Sequence, residues 1–159
     1  AERYLLMHKK PYQFVKTLRL SNVYGPRQDH FGEAGVVSIF LNRMLSQKPV
    51  TIFGDGEQTR DFVYVGDVEE AFKAAIKKDE TFSVNISSGK VTSINELYEL
   101  MSKIVGNSVP ANYENIRLGD LTHSVLSNKL ANQLLGWMPL IDLSEGIKKT
   151  SAWQITGRC

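Results

Sequence analysis

The chain has 159 residues, 42% hydrophobic and 23% charged, an ordinary balance for one globular domain with a real core. Nineteen Lys and Arg against 17 Asp and Glu leave a net charge of +2, and the basic pairs Lys9-Lys10, Lys77-Lys78 and Lys148-Lys149 sit at expected helix ends rather than in a stripe, which argues against a nucleic-acid partner. No apolar run reaches the ~18 residues that cross a bilayer, no signal pattern is visible in a chain that starts Ala1-Glu2-Arg3, and the lone Cys159 excludes an internal disulfide, so a cytoplasmic protein without a membrane partner is expected.

Residues 1–10 read as a helix in which Ala1, Tyr4, Leu5 and His8 fall at helical spacing, ended by Pro11. Residues 14–20 are mostly apolar and read as a strand closed by the Gly25-Pro26 turn. After Gly35, the stripe Val36, Val37, Phe40, Leu41, Met44 and Leu45 marks an amphipathic helix. A short strand over residues 50–53 stops at Gly54, and another is expected over residues 62–65. Asp67 then reads as the cap of a helix, with Glu70 three residues on to close a capping box and Val68, Ala71, Phe72, Ala75 and Ile76 as the apolar face.

Phe82, Val84 and Ile86 alternate as in a half-buried strand. Ser93 with Glu96 forms a second capping box, leading Leu97, Leu100, Met101 and Ile104 to a stop at Gly106. Residues 113–118 read as a short strand. Ser127 is the expected cap of a short helix through Leu130, Leu134 and Leu135 to Gly136, and Asp142 with Glu145 opens a last helix towards Ile155. Strands and helices alternate throughout, with no repeat and no linker, which gives an α/β fold in one domain over residues 1–159.

Two segments carry the functional signal. The first is Leu18-Arg19-Leu20-Ser21-Asn22-Val23-Tyr24-Gly25-Pro26-Arg27. The second is Gly54-Asp55-Gly56-Glu57-Gln58-Thr59-Arg60-Asp61-Phe62-Val63-Tyr64-Val65-Gly66-Asp67, a Gly-rich turn followed by one arginine, a short apolar strand and a helix start. Together they closely resemble the extended short-chain dehydrogenase/reductase family, the NAD-dependent epimerases and dehydratases of nucleotide sugars, with UDP-glucose 4-epimerase as the nearest type. The resemblance covers nearly all of the chain but only the second half of the family's pattern. It implies the C-terminal part of an extended Rossmann-type fold that lacks the N-terminal dinucleotide-binding half, starting just after the family's catalytic lysine.

The residues agree with that reading. Gly54-Asp55-Gly56 opens like a dinucleotide fingerprint, but position 59 is threonine and the run leads into a strand rather than a helix. The family's catalytic tyrosine lies four residues before a lysine on a helix. Tyr4 and His8 have that spacing with the wrong partner, and Tyr12 and Lys16 have it after Pro11, so both pairs are expected to be structural. The histidines His8, His30 and His123 share no ligand spacing, and no metal is expected. No catalytic residue is therefore assigned. No cofactor is expected to bind this chain alone, although the family uses NAD.

The resemblance places substrate-binding residues instead. Arg60 and Arg117 match the family's two diphosphate contacts, and a guanidinium fork suits phosphate oxygens. From the residues alone, the alternative for Arg60 is a surface pair with Asp61, Asp55 or Glu57, and for Arg117 a solvated turn residue. Arg117-Leu118-Gly119-Asp120 stands where the family has Arg-Pro-Gly-Asp, and Asp120 there holds a ribose hydroxyl or the arginine. Asn22 matches an asparagine that donates to phosphate, or else makes an Asx-turn at a strand end. Phe53 matches a position flanking the base, usually uracil, or else is a core aromatic. Val36 and the helix after it line the same pocket in the family, and Arg27 and Gln28 are expected to face the sugar.

The expected partner is a nucleotide-diphosphate sugar, with UDP preferred by resemblance. The rival expectation is a non-catalytic truncated remnant. Parallel strands are usually covered on both faces, so strands without their partners would self-associate by swapping or edge pairing. A homo-oligomer, or a missing N-terminal half, is the expected protein partner.

Overall fold

A computed structural model of the protein describes residues 1–29, 31 and 35–157. The chain runs α1 (Glu2–His8), β1 (Lys16–Leu20), β2 (Asn22–Tyr24), α2 (Val36–Leu45), β3 (Val50–Phe53), β4 (Thr59–Arg60), β5 (Phe62–Tyr64) and α3 (Val65–Ile76). It continues with β6 (Phe82–Ile86), β7 (Thr92–Ser93), α4 (Ile94–Val105), β8 (Ala111–Glu114), β9 (His123–Ser124), α5 (Lys129–Leu135) and α6 (Leu143–Thr156). His30 and Cys159, noted in the sequence, lie outside the described residues.

The strands form small sheets joined through helical crossovers. β1 pairs with β6, β2 with β5 and β3 with β8, all parallel. β4 pairs antiparallel with β7 and parallel with β9. Parallel neighbours need long connections, and the helices supply them. Their apolar faces make two cores. One gathers Phe40, Leu41 and Met44 of α2, Leu97 and Met101 of α4 and Ile147 of α6 over Val50 and Ile52 of β3. The other packs Val68, Ala71 and Ala75 of α3 and Ala131 of α5 against Val84 and Ile86 of β6, with Trp137 alongside. An α/β fold with parallel sheets is thus what the sequence forms.

Several boundaries follow the sequence closely. α2 and β3 span the expected residues. The Ser93–Glu96 capping box has both of its bonds: Glu96 N–H donates to Ser93 Oγ at 3.1 Å, and Ser93 N–H to Glu96 Oε2 at 2.8 Å. Gly106 ends α4 in the left-handed region, where a side chain would be strained.

Other expectations are corrected. Asp67 does not cap α3, because that helix already starts at Val65, with Tyr64 as its uncapped N-terminal neighbour. Asp67 is buried and accepts instead from the N–H groups of Leu140 (3.2 Å) and Ile141 (3.1 Å), holding the approach to α6. Phe72 and Ile76 belong to the exposed side of α3, 46% and 73% accessible, because only the Val68–Ala71–Ala75 stripe meets the sheet. α5 is preceded by Asn128 rather than capped by Ser127, and Asn128 Nδ2 donates to Ser87 O at 2.9 Å. Asp142 does cap α6, through Glu145 N–H at 2.8 Å.

The strand expected at 14–20 forms as β1, starting at Lys16, and after Ser21 the chain continues as β2 in a different sheet. The strand expected at 113–118 forms earlier, as β8, where Val50–Phe53 offers a ladder. Lys148 and Lys149 lie inside α6 rather than at its end, and Lys149 pairs with Glu145 one turn back at 3.2 Å.

Candidate functional site

A cleft of about 490 Å³ opens between α2, β3, β4 and the loop after β8. Asn22, Val36, Phe53, Arg60, Arg117 and Asp120 all border it. They come from five separate segments of the chain, so only the fold brings them together.

Arg60 reaches the cleft through a tight turn that links β3 to β4. Gly54 and Gly56 take φ of 74° and 79° there, a conformation that costs other residues strain. Glu57 N–H donates to Asp55 Oδ1 at 3.0 Å, and Asn95 Nδ2 bridges Asp55 O (2.9 Å) and Glu57 Oε1 (2.7 Å). Gln58 Nε2 donates to Phe53 O at 2.7 Å, tying the ends of the turn. Phe53 and Arg60 are thereby fixed on one cleft.

The partners proposed for Arg60 on sequence grounds are not the ones it finds. Its Nη2 donates to Asp120 Oδ1 at 2.7 Å, and its Nη1 donates to the carbonyls of Leu121 (2.6 Å) and Thr59 (2.9 Å). The Arg60 side chain is only 15% exposed. Asp61 points inward, fully buried, while Asp55 and Glu57 are committed to the turn. Asp120 therefore holds Arg60 rather than its sequence neighbour Arg117.

Arg117 lies over the ring of Phe53, its guanidinium carbon 3.7 Å from the ring centroid, a stacked cation–π contact. Phe53 is not a core aromatic. Along β3 the buried Val50 and Ile52 alternate with the half-buried Thr51 and Phe53, as the two-residue period of a strand requires. Asn22 makes no Asx-turn: its Nδ2 and its backbone N–H both donate to Asp61 O, at 3.1 and 2.9 Å. One amide hydrogen of Asn22 is left for a ligand. Val36 opens α2 beside Gly35, where no side chain caps the helix.

The helix after Val36 borders the cleft as expected, through Ile39 and Arg43, which the sequence did not single out by number, and Thr51 of β3 borders it too. A signal was present, since Ile39 and Arg43 lie one and two turns after Val36 on the same helix face. Arg43, Arg60 and Arg117 against Asp120 leave the cleft with a surplus of two positive charges. Gln28 lies in an adjoining recess of about 230 Å³ shared with Asn22 and Val36, its Nε2 donating to Val23 O at 3.1 Å. Arg27 is exposed and does not border either space.

The residues do not form a dinucleotide site at the Gly-rich turn, because Gly54 and Gly56 lead into β4 rather than onto a helix N-terminus. Tyr4 stacks on His8 at 4.3 Å along α1, Tyr12 lies under Lys10, and Lys16 donates to Ile76 O, all apart from the cleft. No cluster of three metal-ligating side chains occurs among the described residues, and no helix among them is long and apolar enough to cross a membrane.

Residues 1–87 match the NAD dependent epimerase/dehydratase family. The chain is 47% identical, over 96% of its length and 50% of the relative's, to a putative UDP-glucose 4-epimerase of Methanocaldococcus jannaschii. It is 42% identical, over 94% of its length and 48% of the relative's, to the UDP-glucose 4-epimerase of Mycolicibacterium smegmatis. The crystal structure of UDP-glucose 4-epimerase with UDP-glucose from Thermotoga maritima superimposes with a TM-score of 0.92 at 43% identity, over 98% of this chain and 51% of that one. The UDP-N-acetylglucosamine 4-epimerase of Methanobrevibacter ruminantium M1, in complex with UDP-N-acetylmuramic acid, superimposes with a TM-score of 0.93 at 31% identity, over 98% and 51%. The chain thus spans about half the length of the relatives it matches.

Proposed function

The chain belongs to the NAD dependent epimerase/dehydratase family, and on that premise we propose that it is the nucleotide-sugar-binding portion of such an enzyme, its C-terminal half, with a UDP-sugar as ligand. The observation that carries this reading is the convergence of Asn22, Val36, Phe53, Arg60, Arg117 and Asp120 on one cleft with a cationic surplus. Arg60 and Arg117 hold the diphosphate, Asn22 adds an amide donor, Phe53 flanks the base and Asp120 orients Arg60. The relatives solved with UDP-glucose and UDP-N-acetylmuramic acid support a UDP ligand.

Binding rather than chemistry is the proposed role of these 159 residues. The sequence has neither a Gly-x-Gly-x-x-Gly run nor a Tyr-x-x-x-Lys pair on a helix, so the redox step, for which the family employs NAD, is assigned to residues outside them. Charge-assisted contacts contribute roughly 1.5–3 kcal/mol each. Two of them with a stacked base give about −5 to −7 kcal/mol, a Kd on the order of 10 to 200 µM.

Titration of the 159-residue chain with UDP, by calorimetry or NMR and with NAD as control, tests the reading. Saturable UDP binding without NAD binding is expected. Absence of UDP binding up to millimolar concentration overturns it.

A second reading, a self-associating chain without catalytic function, is favoured by α1. That helix buries no residue, and its Tyr4, Leu5 and Met7 are 66%, 53% and 80% exposed.

A further inference from the structure

Three strand ends meet at one buried carboxylate. Ser21 is the single residue between β1 and β2, and Asp61 is the single residue between β4 and β5. Residues 87–89 follow the end of β6, the partner of β1. At these points the chain leaves one sheet for another, and backbone groups lose their ladder partners. Asp61, with no exposed surface, fills the gap. Its Oδ1 accepts from Ser21 Oγ (3.1 Å), Ser88 N–H (2.8 Å) and Ser88 Oγ (2.8 Å), and its Oδ2 accepts from Gly89 N–H (3.0 Å).

The same residue touches both ends of the phosphate side of the cleft. Its carbonyl takes the backbone N–H and the side-chain amide of Asn22. Its amide nitrogen carries the peptide that joins it to Arg60. A rotation of residue 61 would therefore move Asn22 and Arg60 together. A carboxylate suits this place because it offers about four acceptor sites and no donor, and here four donors converge on it. A buried charge with that many hydrogen bonds is expensive to leave half-satisfied.

We propose that Asp61 is a positioning residue for anion recognition: its buried carboxylate fixes the strand crossing that aims Asn22 and Arg60 at the diphosphate of the ligand. The proposal rests on the reading of the cleft as a nucleotide site and assigns its phosphate end to a residue that does not border the cleft.

The test compares Asp61→Asn, the milder Ser21→Ala and a control, Asp67→Asn, in the 159-residue chain. Asp67 is also buried, but its carboxylate serves Leu140 and Ile141. UDP and uridine are titrated into each variant, since uridine lacks the phosphates. Asp61→Asn puts an NH₂ or leaves one oxygen where two acceptors stood. It should raise the UDP Kd about tenfold, a change of ~1.4 kcal/mol, and leave the uridine Kd within about twofold. Ser21→Ala should raise the UDP Kd by about twofold to threefold, and Asp67→Asn should lower the melting temperature without changing the UDP-to-uridine ratio. Equal weakening of UDP and uridine in Asp61→Asn, an unchanged UDP Kd, or the same ratio change in Asp67→Asn would overturn the proposal.

Failure of the unaltered chain to bind UDP would instead sink the functional reading. In that event hydrogen exchange of the Asn22 side-chain amide still decides the positioning role. Faster exchange in Asp61→Asn than in Asp67→Asn supports it, and equal exchange removes it. If Asp61→Asn does not fold, Ser21→Ala carries the same comparison.

Discussion

Arg117 and Phe53 face each other at 3.7 Å, guanidinium carbon to ring centroid, although they lie 64 positions apart in the chain. The contact ties the loop after β8 to the end of β3 and closes one wall of the cleft. Arg117→Ala should raise the UDP Kd about tenfold, ~1.4 kcal/mol. Arg117→Lys should recover only part of that, because an ammonium keeps the charge but not the planar, stacking fork. Calorimetric titration of both variants checks it, and a Lys variant as good as the original would mean that charge alone matters.

The Arg60–Asp120 pair makes a separate prediction. Arg60→Ala removes a guanidinium with three hydrogen bonds and should weaken UDP binding about tenfold or more. Asp120 remains 32% exposed, so water solvates it and the fold should survive. Far-UV circular dichroism should be unchanged. An unaltered UDP Kd would take Arg60 out of the site.

Tyr24 offers a test of stability and pH. Its ring is buried between Phe62 and Tyr64, and its hydroxyl is buried without a hydrogen-bond partner among the described residues. Burial first, then the charge of Asp67, pushes its pKa well above the ordinary tyrosine value. A raised folded-state pKa means that the native state keeps its proton longer than the unfolded chain does. The associated stability is complete below about pH 10, the unfolded value, and is lost as pH rises beyond it. Tyr24→Phe should be neutral or stabilising by up to ~1 kcal/mol at pH 7, since it removes an unsatisfied polar group. It should also flatten the alkaline limb of a melting-temperature profile. A loss of 2 kcal/mol or more would reveal a partner for the hydroxyl.

Gly56 is the tightest point of the turn before Arg60. It has φ of 79°, and a Cβ there would meet the side-chain amide of Asn95. Gly56→Ala should cost about 1–3 kcal/mol, with Asn95 forced off Asp55 and Glu57. Because this turn fixes Phe53 and Arg60 on one cleft, UDP affinity should fall along with the melting temperature. Gly106→Ala, which also has positive φ but nothing within 4 Å of a new Cβ, should cost stability without touching affinity.

The exposed apolar side of α1 predicts association. Light scattering should show the average mass rising with concentration, and Met7→Lys should reverse the trend by charging a residue that is 80% exposed. A monomer over a wide concentration range would leave α1 without a protein partner of its own kind.

Much of the architecture was legible because its signals are local. The α2 stripe, the alternation of Phe82, Val84 and Ile86, and the Ser93–Glu96 box each depend on residues within a few positions of one another. Asp67 and Ser127 were misread by the same logic. Both have cap-like neighbours, but the first helical turn had already been set by β5 running straight into α3, and by Asn128 reaching across to Ser87. The short strands β4, β7 and β9 left no trace in the sequence, since two residues carry no period and exist only through their partners.

For the site, local sequence was enough to say which residue types suit an anion and which segments carry them: Arg60 after its Gly-rich turn, Arg117 before Gly119-Asp120, and Asn22 at the end of an expected strand. Tertiary structure alone decided that these segments share one cleft, that Asp120 pairs with Arg60 rather than Arg117, and that Asp61 turns inward to hold Ser21, Ser88 and Gly89. The reason is geometric. A hydrogen bond or stacked ring acts over a few ångströms, and the partners here lie tens of residues apart along the chain, so only the packing of α2, β3 and the strand crossings could select one pairing among the several that the sequence allows.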